Sequence, residues 1–134
     1  MDFSLTEEQT ALKDSLGKFI ARDYSFDQRW KVIKAAEGWS RAHWNQLAEI
    51  GLMALPVAEA DGGLGGNGVD TMVVMEQIGR GLVLEPYLGC VVLPAALLKA
   101  AATEAQRTAL SETLASGETL YAFAHTEPGQ RYER

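Results

Sequence analysis

The sequence predicts an all-α fold, an orthogonal or up-down bundle of about five helices, with a single strand at its C-terminal edge. Three observations carry that expectation. Two capping boxes open helices, Thr6 with Gln9 and Thr103 with Gln106. Apolar residues recur at helical spacing through most of the chain. The period drops to two only in "TLYAFAH", Thr119–His125. With 134 residues and 47% hydrophobic content, the chain has the size of one globular domain, which buries roughly two-thirds of its unfolded surface without staples.

The first helix follows Thr6. Leu12, Leu16, Phe19, Ile20 and Tyr24 form one stripe, and Glu7 and Glu8 complement the positive end of the helix dipole. "FDQRWKVIKAAEG" reads as a short helix or an ordered loop around Trp30 and Ile33. A second helix starts after Ser40, carries Trp44, Leu47 and Ala48 on one face, and ends near Gly51. A third begins at Val69, with Val69, Met72, Val73 and Glu76 on one face and Val74, Met75 and Ile78 widening it, and stops around Gly79–Gly81. The fourth runs from about Glu85 to Ala102. It is apolar nearly all round, which predicts a place in the middle of the bundle or at a domain interface. The fifth follows Thr103, carries Ala105, Ala109, Leu110 and Leu114, and ends where Gly117 takes the left-handed stop conformation. In the final stretch Leu120, Ala122 and Ala124 alternate with Tyr121, Phe123 and His125, a strand pattern with no ladder to join in this chain.

Composition excludes several functions. A net charge of −6 argues against nucleic acid or an anionic membrane as partner, since both ask for a basic face. "PYLGCVVLPAALL" is apolar but too short to span a bilayer, and Pro94 interrupts it. "MDFSLTEEQ" is acidic and polar where a secretory leader is basic and then apolar, and one cysteine suits a reducing cytoplasm. That cysteine, Cys90, has no basic neighbour in sequence to make it a nucleophile, and His43 and His125 form no metal-ligand spacing.

Gly63, Gly65 and Gly68 stand at the spacing of a dinucleotide-binding loop. Such a loop needs a strand before it and a parallel strand after the following helix. Here the preceding "EIGLMALPVAEADG" is a helix end containing Pro56, and the next element is another helix. The run is therefore a connector, five glycines letting the chain reverse at positive φ.

"FSLTEEQ", "LAEIGLMALPVAEADGGLGGNGVD" and "YAFAHTEPG", in this order and spacing, resemble the N-terminal helical domain of the acyl-CoA dehydrogenase family. The resemblance implies residues 1–118 as that domain and 119–134 as the start of a middle β-domain, truncated here. It implies a flavoenzyme that oxidises an acyl-CoA thioester to the trans-2-enoyl-CoA, with FAD accepting a hydride and electrons passing to an electron-transfer flavoprotein. The catalytic glutamate of the family belongs to its C-terminal domain, so no glutamate of this chain is assigned that role and the chain alone is expected to be inactive. Carried over by position, Phe123, His125 and Thr126 contact the flavin, and Glu85, Pro86 and Gly89 at the start of the apolar helix line the acyl pocket. Residue by residue the alternatives are plainer: a strand ending in a turn, a first-turn glutamate, a core helix.

The family commonly continues "TEPGAGSD", whereas this chain continues "TEPGQRYER", placing Gln130 and Arg131 where small residues approach cofactor phosphates and acyl-CoA. The R-Y pair is similar to the small-subunit type of two-subunit relatives such as pimeloyl-CoA dehydrogenase, which implies a homo- or hetero-oligomer. A non-catalytic helical subunit that docks through its apolar helix on a full-length dehydrogenase is the alternative from another class.

Overall fold

The computed structural model describes residues 4–126 and residue 129. Six α-helices follow in order: α1 Glu7–Asp23, α2 Phe26–Ile33, α3 Arg41–Glu49, α4 Gly68–Gly81, α5 Leu93–Ala101 and α6 Glu104–Ala115. A 3-10 turn at Glu59–Asp61 precedes α4, and a π-helical turn at Leu88–Val92 leads into α5.

Local chemistry sets these boundaries. Thr6–Gln9 and Thr103–Gln106 form reciprocal capping boxes, and Ser40 caps α3. A third box, Asn67–Asp70, opens α4. Gln9 then donates its side-chain amide to Asp70 at 2.9 Å, so the starts of α1 and α4 are tied together by the residues that cap them. α3 ends in a Schellman motif: Gly51 at φ +84° bonds back to Ala48, and Leu52 to Leu47. α4 ends in the same motif with Leu82 at φ +49°, because Gly81 is needed elsewhere; a Cβ there would stand 2.4 Å from Ile20 of α1.

The main core gathers Leu16 and Phe19 of α1 with its C-cap Tyr24, Trp44 and Leu47 of α3, Leu52 and Met53, Val74 and Ile78 of α4, and Tyr87 and Val91. Each such side chain contributes about 1.5–3 kcal/mol by leaving water. Two buried hydrogen bonds tie the end of α6 and the segment after α3 to this core. Trp44 Nε1 donates to the Gly117 carbonyl at 2.8 Å, and the Tyr87 hydroxyl donates to the Leu52 carbonyl at 3.0 Å. A smaller cluster joins Val57, Ala95 and Leu114 between α5 and α6.

Of the two readings open after α1 the structure takes the helix, and three expectations need correction. The uncertain segment after α1 is a helix, α2, which brings the count to six and buries none of its own residues. On α4 the buried face is Val73, Val74, Gln77 and Ile78, while Val69 and Met72 are exposed. The apolar run is not one α-helix. Pro94 has no amide proton to offer the Cys90 carbonyl, and the backbone widens there, Leu93 bonding to Leu88 across a π turn. Leu88 and Leu93 stay nearly half exposed, so of the two places expected for this run the middle of the bundle is excluded and a domain interface is not. Finally, Leu120–Thr126 carries no regular structure, because nothing among the described residues supplies a ladder.

The glycine run is a connector, for a reason only half visible in the sequence. Gly62 and Gly65 have positive φ, at +85° and +65°. Gly63 and Gly66 are required by crowding instead: a Cβ would lie 2.2 Å from the Val57 carbonyl oxygen in one case and 2.7 Å from that of Leu55 in the other. The amides of Gly63, Leu64, Gly65 and Gly66 all donate to carbonyls of residues 54–58, so this loop turns no amide cradle toward a phosphate.

Candidate functional site

Two groups of residues define the candidate site, and α5 joins them. The first lies in the segment leaving α6. Gly117, at φ +71°, stops the helix. The Tyr121 hydroxyl then meets Thr113 Oγ1 and the Leu110 carbonyl, which pins the segment to α6. Beyond that anchor residues 122–126 are exposed. The Phe123 and His125 rings stack with centroids 5.6 Å apart and planes 27° apart, presenting a flat aromatic face, and Thr126 is exposed beside them. A groove of about 320 Å³ runs beneath, lined by Pro94, Leu97 and Leu98 of α5, Leu110 of α6, and Tyr121 and Phe123. Gln130 and Arg131 lie outside the described residues.

The second group opens the π turn. Pro86 is half-buried, and Gly89 is exposed with no atom within 4 Å of where a Cβ would stand. Glu85 behaves differently. Its side chain is completely buried and turned toward α3, where Oε1 accepts the Ser40 amide at 3.1 Å. The carboxylate therefore sits at the N-terminus of α3, not along the helix it precedes. His43, in the first turn of α3, brings Nδ1 to 3.7 Å from Oε1. Burial pushes the Glu85 carboxyl above its ordinary range against the pull of the Ser40 amide. Burial pushes His43 below the ordinary imidazole range, opposed by the charge of Asp23. The separation alone suggests an ion pair, but 3.7 Å exceeds a hydrogen bond, and both directions disfavour the charged forms.

Sequence reasoning missed Ser40 and His43 as partners of Glu85, and Tyr121 as an anchor. Only the Ser40 cap carried a local signal. Cys90 is half-buried, and burial raises its thiol pKa, consistent with an inert thiol. Among the described residues no cluster of three metal-ligating side chains occurs, and no helix is long and apolar enough to cross a membrane.

The sequence matches the family model described as acyl-CoA dehydrogenase, N-terminal domain, over residues 6–118. The chain belongs to the acyl-CoA dehydrogenase family. It is 33% identical over 118 residues to acyl-CoA dehydrogenase IpdE2 of Mycobacterium tuberculosis, covering 87% of this chain and 36% of the relative. It is 28% identical over 130 residues to the probable acyl-CoA dehydrogenase YngJ of Bacillus subtilis, covering 96% of this chain and 34% of that protein. The fold superposes on a chain of the ChsE4-ChsE5 complex from Mycobacterium tuberculosis with TM-score 0.83 at 23% identity, over 91% of this chain and 34% of that one. A chain of the Tcur3481-Tcur3483 steroid ACAD G363A variant gives TM-score 0.80 at 21% identity, over 87% and 32%. The chain thus spans about a third of the length of the relatives it matches. The all-helical fold agrees with the family's N-terminal domain.

Proposed function

We propose that this chain is the N-terminal helical part of a cytoplasmic, FAD-dependent dehydrogenase that converts an acyl-CoA thioester to the trans-2-enoyl-CoA and passes electrons to an electron-transfer flavoprotein. Residues 1–118 form the helical domain, and 119–134 begin the β-domain. Bound FAD supplies the hydride acceptor. The observation that carries this reading is the exposed stacked pair Phe123–His125, two residues beyond the Tyr121 anchor. It fits one face of a planar ring system, with the Thr126 hydroxyl available at a polar edge, whereas the glycine loop fits no cofactor phosphate.

Pro86 and Gly89 contribute backbone to the wall of the acyl pocket, where the bare Gly89 leaves room for a substrate chain. Glu85 acts in that wall by holding the turn, since its carboxylate faces α3. The half-exposed Leu88 and Leu93 mark a surface suited to further dehydrogenase domains, in the same chain or a partner subunit, so the working enzyme is a homo- or hetero-oligomer.

The test compares the 134-residue chain with the intact species that an antibody to this domain captures from source cells. FAD content and bleaching of flavin absorbance by acyl-CoA substrates are measured on both. The intact species is expected to hold FAD and to bleach, and the chain alone to do neither. An intact species without flavin, or one indifferent to every acyl-CoA, overturns the reading.

A further inference from the structure

The net charge of −6, which argues against an anionic partner for the chain as a whole, is unevenly placed. Residues 18–41 carry six basic side chains, Lys18, Arg22, Arg29, Lys31, Lys34 and Arg41, against three acidic ones. The rest of the chain carries six basic and fifteen acidic. The end of α1, all of α2 and the start of α3 thus make a basic stretch in an acidic protein.

α2 is the exposed centre of that stretch, and none of its residues is buried. Arg29, Val32 and Ile33 are its half-buried side, where Arg29 Nε donates to the Leu82 carbonyl at 2.9 Å. On the outer side Phe26 and Trp30, one turn apart, are 72% and 43% exposed and meet edge to face at 6.1 Å. Lys34 Nζ lies 5.6 Å over the Trp30 ring, and Lys31 is exposed. Leu82, 60% exposed, stands at the turn to which Arg29 is bonded. Apolar side chains scattered singly over a surface are ordinary, but three joined on one basic face mark an interaction surface. The carboxylates nearby are few. Asp23 is clamped by Arg22 at 2.6 Å, Asp27 is exposed on α2, and Glu37 follows the helix.

We propose that α2 is a peripheral membrane contact, with Phe26, Trp30 and Leu82 entering the interface of an anionic bilayer while Lys31 and Lys34 meet its headgroups. Amphipathic helices that pair aromatic side chains with lysines lie in the interface plane in this way, rings toward the acyl boundary and ammonium groups among the phosphates. Lys34 against the Trp30 ring brings ring and charge to the same surface. The acidic remainder does not prevent the contact. At physiological ionic strength charges are screened over about 8 Å, so a bilayer at α2 responds chiefly to the basic stretch.

Two other occupants fit less well. A second copy laid face to face would bring two sets of Lys31 and Lys34 together. Any longer polypeptide continues from the segment that Tyr121 pins to α6, whereas α2 is held to the turn after α4. The contact concerns α2 alone and does not depend on the acyl-CoA reading.

The test floats the 134-residue chain, and the intact species captured from source cells, with two kinds of vesicle: phosphatidylcholine alone, and equal parts phosphatidylcholine and phosphatidylglycerol. Both proteins should bind the anionic vesicles and not the neutral ones, and binding should weaken as salt rises. Each lysine near an anionic surface is worth about fivefold, so Lys31→Gln combined with Lys34→Gln should weaken binding roughly 25-fold. Asp27→Asn should tighten it, a gain that general stickiness does not produce. Phe26→Ser combined with Trp30→Ser should abolish it. These variants keep the fold because α2 buries none of its residues, and circular dichroism checks that. Absence of binding to the anionic vesicles overturns the proposal, as does equal binding to both kinds, which is apolar adhesion only. So does a lysine double variant that binds like the parent. Binding by the chain but not by the intact species also overturns it, and gives α2 to another domain or a protein partner.

Discussion

Gly63→Ala and Gly68→Ala should move stability in opposite directions. At Gly63 the new methyl would stand 2.2 Å from the Val57 carbonyl oxygen and 2.4 Å from Val57 Cβ. Neither atom is the free end of a flexible side chain, so relief requires the backbone of residues 54–58 to move. That segment accepts the amides of Gly63, Leu64, Gly65 and Gly66 at 2.7–2.9 Å. Overpacking costs about 1–3 kcal/mol, and each hydrogen bond lost in the shift about 1 kcal/mol more. With two bonds broken, the expected loss is about 3–5 kcal/mol, a large share of a typical domain's stability. Gly68 is the first residue of α4, and a Cβ there meets nothing within 4 Å. Alanine at that position should stabilise by about 0.5–1 kcal/mol through lower unfolded-chain entropy and better helix propensity. Urea unfolding followed by circular dichroism reads both, as midpoints shifted in opposite senses at unchanged slope. A Gly63→Ala chain within about 1 kcal/mol of the parent would refute the argument. That result would reopen the loop as a ligand cradle, where a methyl group damages binding but spares the fold.

Leu82→Gly should stabilise by about 0.5–1 kcal/mol, since glycine removes the left-handed strain that leucine bears there and its own entropy cost is smaller; a lowered thermal midpoint would contradict this. Trp44→Phe leaves the Gly117 carbonyl unpaired in the core and should cost about 2–4 kcal/mol, measured by denaturant unfolding. Thr103→Ala removes one side of the α6 capping box and should cost about 1 kcal/mol, with amide exchange rising in the first turn of α6 and not in α1. His43 is held below the ordinary imidazole range, so its contribution to stability is present above about pH 6.5 and is lost as pH falls from there. Replacement by glutamine should flatten that acid limb of the stability profile.

Most of the helical frame was legible because its signals are local. Thr6–Gln9, Ser40 and Thr103–Gln106 announce helix starts within four residues, and Leu16, Phe19, Trp44 and Leu47 fall on stripes that the structure buries. Errors came where a neighbour decides. Val69 and Met72 share a periodic face with Val73, but α1 meets α4 along Val73, Val74, Gln77 and Ile78, so the true face is rotated. Gly81 reads as a helix stop, yet its absent side chain serves the approach of Ile20, and the stop falls to Leu82. The strand pattern at Leu120–His125 describes what those residues suit, and forming a strand still requires a second one.

Glu85 shows the limit of local reading most sharply. A glutamate ahead of an apolar helix has two ordinary explanations, a dipole complement to that helix or a polar group on a pocket wall, and both leave the carboxylate wet. Its side chain takes neither course, because Ser40 and His43, more than forty residues earlier, bring the N-terminus of α3 against the turn. Composition and periodicity carry no trace of a meeting across that separation. A buried carboxyl with no lysine or arginine beside it among the described residues is costly to ionise, and burial raises its pKa against the pull of backbone amides. The same side chain that the family resemblance places at the substrate thus gains its distinctive chemistry from the opposite direction, through the core.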